Sequence, residues 1–432
     1  MKRAFFPADI LLPEQGTDMS RWSVIACDQF TSEPEYWEET EKIVGLAPST
    51  FKMILPEVYL GSTMEAEKLE QIRRSMKNYL DKGLFHTYKN AMIYVERTDS
   101  SGKVRAGIVG AVDLETYNYR KGAQSMVRAT EATVVERIPP RIRVRKNAPM
   151  ELPHIMILID DKYHRVVEPC EEAKEESQLL YDFDLMQGGG HLKGYLLGQE
   201  EQDRVLEALD RLAARQPMTF AVGDGNHSLA TAKEYYEQLK AAHPDEDYST
   251  HPARYALVEL VNLHSPALEF EAIHRIVTKV DVKHLLAEME RELGLRLEEE
   301  NVPETDGNQK GIRPAGARKK RPEGQQELYL VEKGVCTKAI ITRPTSKLTV
   351  GSLQNFLDAY QQKYPIGMDY IHGADTVKEL SMEEESIGFL LPDMKKEELF
   401  PSVMADGALP RKTFSMGHAE DKRYYMECRM IR

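Results

Sequence analysis

Apolar positions along the chain follow two alternating periods, which predict strands and helices in turn. Short runs rich in apolar and β-branched residues predict strands, and these runs are Ala91–Glu96, Arg105–Leu114, His154–Asp160, Met218–Gly223, Arg254–Leu263, Lys338–Thr342, Ser386–Leu391 and Tyr424–Ile431. Apolar residues that recur at intervals of three and four predict helices, and such stripes cover Leu69–Leu80, Val205–Leu212, Val282–Leu293 and Leu353–Tyr360. This alternation predicts an α/β or mixed α+β fold.

One segment interrupts the pattern. Residues 301–326 are rich in Pro, Gly, Lys, Arg and Gln and hold almost no apolar residue, so they cannot bury enough surface to offset their ordering entropy. We therefore predict a main α/β lobe over residues 1–300, a flexible linker or loop over 301–326, and a smaller C-terminal α+β lobe over 327–432. The basic run Arg318–Arg321 is either a solvated part of this segment or a contact for an anion.

The charge balance narrows the class of partner. The chain has 432 residues and a formal net charge of −13, which argues against nucleic acid because a groove that tracks the phosphate backbone is usually basic. No run of apolar residues is long enough to predict a transmembrane helix, and the N-terminal residues do not resemble a secretory signal. We expect a cytoplasmic protein with a small-molecule substrate and no nucleic-acid or membrane partner, and the oligomeric state stays open.

Cysteine usage excludes two further classes of site. The four cysteines, Cys27, Cys170, Cys336 and Cys428, are far apart and form no CxxC pair. A disulfide framework and a cysteine-based zinc site are therefore not expected.

The segment "TFAVGDGNHSLATAKEYYEQL", Thr219–Leu239, carries the candidate chemistry. A buried strand that ends near Gly223 is followed at once by a helical pattern, so Asp224, Gly225 and Asn226 lie in a tight strand-to-helix turn. A helix that begins there presents free N–H groups and the positive end of its dipole, and glycine allows close backbone approach. Together these features predict a cradle for an anion or a phosphate.

Polar side chains in this turn extend the prediction. His227 and Ser228 occupy the first helical positions, where each can reach the same anion, and Asp224 can hold a divalent cation or accept a proton. Two structural alternatives remain open: Asp224 or Asn226 caps the helix, and His227 is a core histidine.

The turn resembles the motif "ADGHHR" of the bacterial family catalogued as domain of unknown function (DUF) family 1015. The resemblance extends through "YALVELVNLHSPALEFEAIHRIV", which places Arg275 on the arginine of a family His-Arg pair, and through "MVRATEATV", which places Arg128 and Glu131 on an Arg–Glu–Thr segment. "VIACDQF" places Asp28 on a family aspartate, and "LPRKTFSMG" places Lys412 on a family lysine.

Two departures from the family pattern lie in the turn itself. Ser228 stands where the family has arginine, and Asn226 stands where it has the first of two histidines. Loss of the arginine removes a bidentate ligand for phosphate at that position.

The same turn is remotely similar to the "G-x-H-R" box of the ParB/sulfiredoxin superfamily, which binds nucleotide phosphates and includes kinases of free serine. The resemblance implies a ParB/sulfiredoxin-like core with additional strands and helices, and a small-molecule phosphotransferase that uses Mg²⁺ with ATP, ADP or pyrophosphate.

The hypothesis assigns a role to each candidate residue. The phosphates are bound by Gly223, Gly225, Asn226, Ser228, Arg128, Arg275 and Lys412; the catalytic residues are Asp28, Glu131, Asp224 and His227; and Asp224 is also the metal ligand. Each residue has a structural alternative, such as a surface ion pair between Arg128 and Glu131. A rival function is a non-catalytic sensor of a nucleotide or small anion, and a third alternative is a structural scaffold.

Overall fold

The computed structural model describes residues 3–120, 122–132, 138–146, 148–298, 324–417 and 419–432. Their contacts divide the chain into two compact units, of which the first comprises Met1–Leu268 with His418–Arg432 and the second comprises Glu269–Gly417. The boundary predicted from the sequence lies near residue 300, whereas the contacts divide the chain after Leu268, and the last residues return to the first unit. Residues 301–323 of the predicted linker lie outside the described residues, and Gln326 begins a strand.

The helices of the first unit are α1 (Met19–Trp22), α2 (Pro34–Val44), α3 (Glu65–Asp81), α4 (Ile138–Arg145), α5 (Cys170–Ala173), α6 (Gln199–Ala213) and α7 (Asn226–Ala242). Its strands are β1 (Phe5–Phe6), β2 (Ala8–Pro13), β3 (Val24–Ile25), β4 (Phe85–Ala91), β5 (Ile93–Thr98), β6 (Val104–Asp113), β7 (Tyr117–Asn118), β8 (Val127–Ala129), β9 (Met150–Glu151), β10 (Met156–Ile159), β11 (Gln178–Asp184), β12 (His191–Leu196), β13 (Phe220–Asp224) and β14 (Tyr255–Asn262).

The strands of the second unit are β15 (Phe270–Ala272), β16 (His274–Thr278), β17 (Arg296–Glu298), β18 (Gln326–Glu332), β19 (Val335–Ile341), β20 (Gly367–Ile371), β21 (Ser386–Leu390) and β22 (Phe414–Met416). Its helices are α8 (Val282–Leu293), α9 (Thr349–Lys363), α10 (Ala374–Leu380) and α11 (Leu399–Asp406). The chain then returns to the first unit as β23 (Tyr424–Tyr425) and β24 (Arg429–Met430).

A large mixed sheet organises the first unit, in the order β11-β12-β5-β6-β14-β10-β13-β8-β7, with β1 paired to β6. Strand β10 runs parallel to β14 and antiparallel to β13, and β13 runs parallel to β8. The second unit holds an antiparallel sheet in the order β17-β19-β18-β21-β16-β20. These sheets and helices confirm the predicted mixed α/β class.

Alternating side chains of the large sheet build a core on each face, as the two-residue period of a strand requires. On β14, Leu257 packs with one core cluster, whereas Val258 and Leu260 pack with the other. Helix α7 covers this second face with Leu229 and Tyr236. Helix α3 covers the opposite face, so the two helices lie on opposite sides of the sheet.

The last predicted strand is divided into two. Residues Tyr424–Ile431 were expected to form one strand, but β23 pairs with β3 and β24 pairs with β9. Between them the chain bridges to β2, since the amide of Leu11 donates to the carbonyl of Cys428 at 2.8 Å. The segment is divided because it pairs with three successive partners.

Within the described ranges, no helix combines the length and the apolar character that a membrane span requires.

Candidate functional site

The predicted strand-to-helix turn is present at the expected residues. Strand β13 ends at Asp224, Gly225 is the N-cap, and α7 begins at Asn226. The pairing of β13 with β10 has a bulge at this end, since Met156 faces Asp224 whereas Ile157 faces Val222. Bulges of this kind redirect side chains next to functional sites.

Both glycines of the turn meet a steric requirement. Gly225 has φ +74°, and a Cβ atom there would lie 3.0 Å from the Cα atom of Ile155. A Cβ atom on Gly223 would lie 2.8 Å from the Cγ atom of Leu158. Gly225 therefore needs glycine for its left-handed backbone as well as for the close approach, whereas Gly223 needs it for packing.

The N-cap of α7 is Gly225, which has no capping side chain, so neither Asp224 nor Asn226 is the N-cap residue. The Asp224 Oδ1 atom accepts a hydrogen bond from the Gly225 amide at 2.8 Å instead. The first intrahelical bond runs from the Leu229 amide to the Gly225 carbonyl at 3.0 Å. The amides before Leu229 thus have no intrahelical acceptor, and the dipole makes this end of α7 favourable for negative charge.

The Asn226 side chain lies beside the loop that follows β8. Its Nδ2 atom is 3.4 Å from the Thr130 Oγ1 atom, and the Thr130 hydroxyl donates to the Val222 carbonyl at 2.6 Å. The Asn226 Oδ1 atom is buried and has no hydrogen-bond partner among the described residues. Glu131 directly follows Thr130 and is half-buried, so the backbone places it next to the turn.

His227 occupies the second helical position and is half-buried, and its carbonyl accepts a hydrogen bond from the Thr231 hydroxyl at 2.7 Å.

Ser228 forms the most distinctive contact of the turn. Its Oγ atom lies 3.0 Å from His154 Nε2, and His154 Nδ1 lies 2.8 Å from the Tyr425 hydroxyl oxygen. That oxygen also accepts from the Cys27 amide at 3.2 Å. We therefore assign the Tyr425 proton to a hydrogen bond with Nδ1, which leaves the proton of the neutral imidazole on Nε2, facing Ser228.

Asp28 completes this group of polar side chains. Its Oδ2 atom lies 3.7 Å from His154 Nε2, and its Oδ1 atom accepts a hydrogen bond from the Gln29 side chain at 3.0 Å. Burial acts to raise the pKa of Asp28, but His154, the Gln29 hydrogen bond and the charges of Arg141 and Lys422 outweigh it, so the pKa is lowered. Asp28 is therefore a stable carboxylate at neutral pH.

Two cations lie near these carboxylates. Lys422 Nζ is 3.8 Å from Asp224 Oδ2, and both side chains are largely buried, with exposed fractions of 15% and 20%. Lys422 also acts electrostatically on Asp28. Arg141 forms an ion pair with Glu57. Lys422 thus links the aspartate of the turn to the group around His154.

A cavity of about 140 Å³ opens beside this group. Ser228 and Thr231 of α7 line it, together with Cys27, His154 and Tyr425. The first turns of the helix therefore face a space that can hold a ligand.

Arg128 is placed differently from the prediction. It lies in β8 and is 4% exposed. Its guanidinium donates to the Ser125 carbonyl at 3.0 Å and to the Gln124 side chain at 3.2 Å. These bonds hold it to the loop before β8, whereas the turn lies beyond the other end of that strand.

Arg275 and Lys412 belong to the second unit, and Arg275 is buried within it. Its guanidinium donates to the carbonyls of Ile273 and of Lys412, the latter at 2.9 Å, and to Gln354 Oε1 at 3.1 Å. The Lys412 side chain is exposed. These contacts give Arg275 a structural role, because it holds the segment around Lys412 by its backbone.

Asp224 offers one carboxylate oxygen, Oδ2, to a metal ion, and Lys422 Nζ lies 3.8 Å from that oxygen. No group of three or more His, Cys, Asp or Glu side chains in the described part of the chain is arranged to hold a metal ion. Magnesium commonly takes one or two carboxylates and completes its shell with water and phosphate oxygens. Asp224 presents Oδ2 for this purpose, since its Oδ1 atom is engaged by the Gly225 amide.

Three members of the site were not predicted from the sequence: His154, Tyr425 and Lys422. His154 stands alone just before β10, and Lys422 and Tyr425 lie about 200 residues beyond the turn. The local pattern carries only a weak signal for them, a histidine and a lysine at strand ends.

The chain belongs to the family described as "Protein of unknown function (DUF1015)", whose sequence model matches residues 11–360. This confirms the resemblance noted from the sequence. No curated protein sequence matches the chain.

Three solved structures illustrate the likeness to known folds. A free serine kinase in complex with AMP is 12% identical, with a TM-score of 0.39 over 75% of this chain and 92% of that chain. A conserved hypothetical protein from Pyrococcus furiosus is 12% identical, with a TM-score of 0.34 over 74% and 98%. SbnI with a C-terminal truncation, from Staphylococcus aureus, is 8% identical, with a TM-score of 0.36 over 72% and 82%. These values describe distant likenesses, so the function is argued below from the chain's own residues.

Proposed function

We propose that this protein is a phosphotransferase that moves a phosphoryl group from a nucleotide or pyrophosphate to the hydroxyl group of a small molecule. The observation that carries the proposal is the cavity beside α7, where Ser228 of the first helical turn meets His154 at 3.0 Å and Asp28 lies 3.7 Å from the same imidazole nitrogen. The first turn of a helix and room for a ligand thus lie together, and the Asp28 carboxylate lies next to His154, a residue of the cavity wall. The family resemblance makes free serine one candidate acceptor.

Each part of the reaction has residues that suit it. The first-turn amides of α7 and Lys422 receive the negative charge of the phosphates. The acceptor hydroxyl attacks the phosphorus of the transferred group and its proton passes to Asp28, while the donor phosphate leaves with the electrons of the broken P–O bond. His154, held by Tyr425, fixes the position of Ser228 and keeps Asp28 ionised.

Asp224 is the residue that would hold Mg²⁺, and the metal would supply neutralisation of the phosphate charge. The 3.8 Å separation between Asp224 and Lys422 is longer than that of a close ion pair. The carboxylate therefore keeps an oxygen for a metal without losing a strong contact.

The rival function, a sensor that binds a nucleotide or anion without chemistry, is favoured by Ser228. Ser228 stands where the family has arginine, and its hydroxyl is engaged by His154. The site thus lacks at this position the bidentate cation that stabilises a transferred phosphate.

The test is a search for a phosphorylated product. Purified protein is incubated with Mg²⁺, with serine and a panel of other hydroxyl compounds, and with ATP, ADP or pyrophosphate, and products are identified by mass spectrometry. We expect one acceptor to gain phosphate, and we expect Asp28→Asn and Asp224→Ala to lose turnover. Asp245→Asn, at an exposed aspartate on the surface, is the control.

Three outcomes separate the alternatives. Nucleotide-dependent thermal stabilisation without any product favours the sensor. Neither product nor stabilisation by any nucleotide or phosphate favours the scaffold. Full turnover in Asp28→Asn removes Asp28 from the mechanism.

A further inference from the structure

The cavity beside α7 is apolar over most of its wall. Its apolar lining includes Met53, Met76, Val144, Met150, Ile155 and Leu257. Most of them belong to the core on the α3 side of the sheet. A wall of this kind binds the apolar part of a ligand, and the few polar side chains in it determine which polar groups of the ligand are accepted.

The permanent charges in the wall are balanced in pairs. Arg141 pairs with Glu57, and Arg145 donates to Glu151 Oε2 at 2.7 Å. Glu151 Oε1 also accepts from the Leu257 amide at 2.8 Å. A zwitterionic ligand would therefore have to compete with existing ion pairs for both of its charges, which is unfavourable in a partly buried site.

Uncharged hydrogen-bonding groups are gathered at the end formed by α7. The Thr231 hydroxyl donates to the His227 carbonyl, and we assigned the Tyr425 proton to His154. With His154 donating to Ser228 Oγ, the Ser228 hydroxyl proton is left to donate to a ligand oxygen. One hydroxyl head group is thus matched at this end of the cavity, next to His154.

The volume shows the size of apolar body that the cavity accommodates. A cavity of about 150 Å³ lined by aliphatic and aromatic side chains binds benzene, and this cavity measures about 140 Å³. A compound of about six to eight non-hydrogen atoms fits.

We propose that this cavity binds a neutral alcohol whose body is apolar, of the size of cyclohexanol or benzyl alcohol, with its hydroxyl group at Ser228. The binding of the alcohol is inferred from the cavity alone. Its role as the acceptor of the phosphoryl group rests on the proposed function. We therefore expect a free amino acid such as serine to bind less well than a neutral alcohol of matching size.

The test measures binding and turnover separately. Binding of cyclohexanol, benzyl alcohol and L-serine is measured by calorimetry and by ligand-observed NMR on the full chain. Val144→Phe places a ring in the cavity and is expected to weaken binding of the alcohols by about tenfold or more. Val104→Phe makes the same change on β6, at a side chain that is 50% exposed and does not line the cavity, and should leave binding unchanged.

Val144→Met, a gentler increase in volume, replaces Val144→Phe if the latter fails to fold. Alcohol binding that Val144→Phe removes and Val104→Phe retains supports the inference, even if no phosphorylated product forms and the proposed phosphotransferase fails. Absence of alcohol binding overturns the inference. Serine phosphorylation with a KM that Val144→Phe does not change overturns it as well, while the proposed phosphotransferase stands.

Discussion

The Oγ atom of Ser228 lies 3.0 Å from Nε2 of His154, so a residue of the α7 first turn is fixed to the segment that enters β10. The same imidazole is held from its other nitrogen by Tyr425 at 2.8 Å. His154 is 5% exposed. A buried side chain with partners on both ring nitrogens orients its neighbours, because it has little freedom to turn.

His154→Ala should therefore disable the site without unfolding the protein. We expect kcat to fall by about a hundredfold, because Ser228 loses its hydrogen-bond partner and Asp28 loses the imidazole 3.7 Å away that favours its ionised form. Steady-state rates of phosphoryl transfer, or ligand affinity for a sensor, measure the change. The control is His243→Ala, at a largely exposed side chain; an equal loss in both variants would contradict a role for His154.

The pKa of Asp28 sets a pH dependence of stability. The folded pKa is below the ordinary value of 3.8, so ionised Asp28 stabilises the fold above that value, and this contribution is lost as the pH falls through the folded pKa. The free energy of unfolding of the wild type minus that of Asp28→Asn should be constant from about pH 5 to 8 and shrink below about pH 4. Denaturant titrations across this range measure it.

In a His154→Ala background, the stabilisation by ionised Asp28 should be lost at a higher pH, because His154 is the largest of the influences that lower the pKa of Asp28. A difference that instead grows as the pH falls would show that the pKa of Asp28 is raised in the fold.

Gly225→Ala should destabilise the turn for two separable reasons. The left-handed backbone costs alanine about 1–2 kcal/mol, and the added Cβ atom would lie 3.0 Å from the Ile155 Cα atom. Gly61 has the same φ of +74°, but a Cβ atom added there would meet nothing within 4 Å. The melting temperature of Gly225→Ala should therefore fall further than that of Gly61→Ala. Equal decreases in the two melting temperatures would show that the contact with Ile155 does not add to the cost of the substitution.

Two lysines compete for the role of phosphate-binding cation. Lys422 lies 3.8 Å from Asp224 Oδ2, whereas Lys412 is the cation that the family resemblance predicts. We expect Lys422→Met to lower kcat/KM for the phosphate donor by about tenfold to a hundredfold, and Lys412→Met to change it little. Both values of kcat/KM are measured with a saturating acceptor. A larger decrease in Lys412→Met than in Lys422→Met would instead support Lys412 as the phosphate-binding lysine.

Arg275→Met tests whether a buried arginine stabilises the second unit. The substitution leaves the carbonyls of Ile273 and Lys412 without their donor, and we expect a loss of about 3 kcal/mol in unfolding free energy. Arg296→Met, at an exposed position on β17, should cost little. Unchanged stability with weakened phosphate binding would instead support the phosphate-binding role predicted from the sequence.

The periodicity of apolar residues and the glycines at turns predicted those elements whose formation depends on neighbouring residues in the sequence. The change from a strand to a helix at Asp224 follows from a buried apolar run, a left-handed glycine and a helical stripe, all within about 20 residues of the chain. Family resemblance added Asp28, whose position beside His154 no local pattern indicates. The single strand predicted for Tyr424–Ile431 was wrong because the segment pairs with three successive partners, which its own pattern does not show.

The composition of the site could not be predicted from local patterns. His154 and Ser228 are 74 positions apart, and His154 and Tyr425 are 271 apart. Their meeting depends on the order of strands in the large sheet, which apolar periodicity does not encode. The same limit applies to Arg128, whose guanidinium is held by hydrogen bonds to Ser125 and Gln124.

The return of the last residues to the first unit has a consequence for biosynthesis. Asp28 leaves the ribosome early, whereas Lys422 and Tyr425 leave it only after the whole second unit has been made. A nascent chain therefore holds an unfinished pocket until Lys422 and Tyr425 have been synthesised, and a truncated product that ends before Lys422 lacks part of the set of ligand-binding groups.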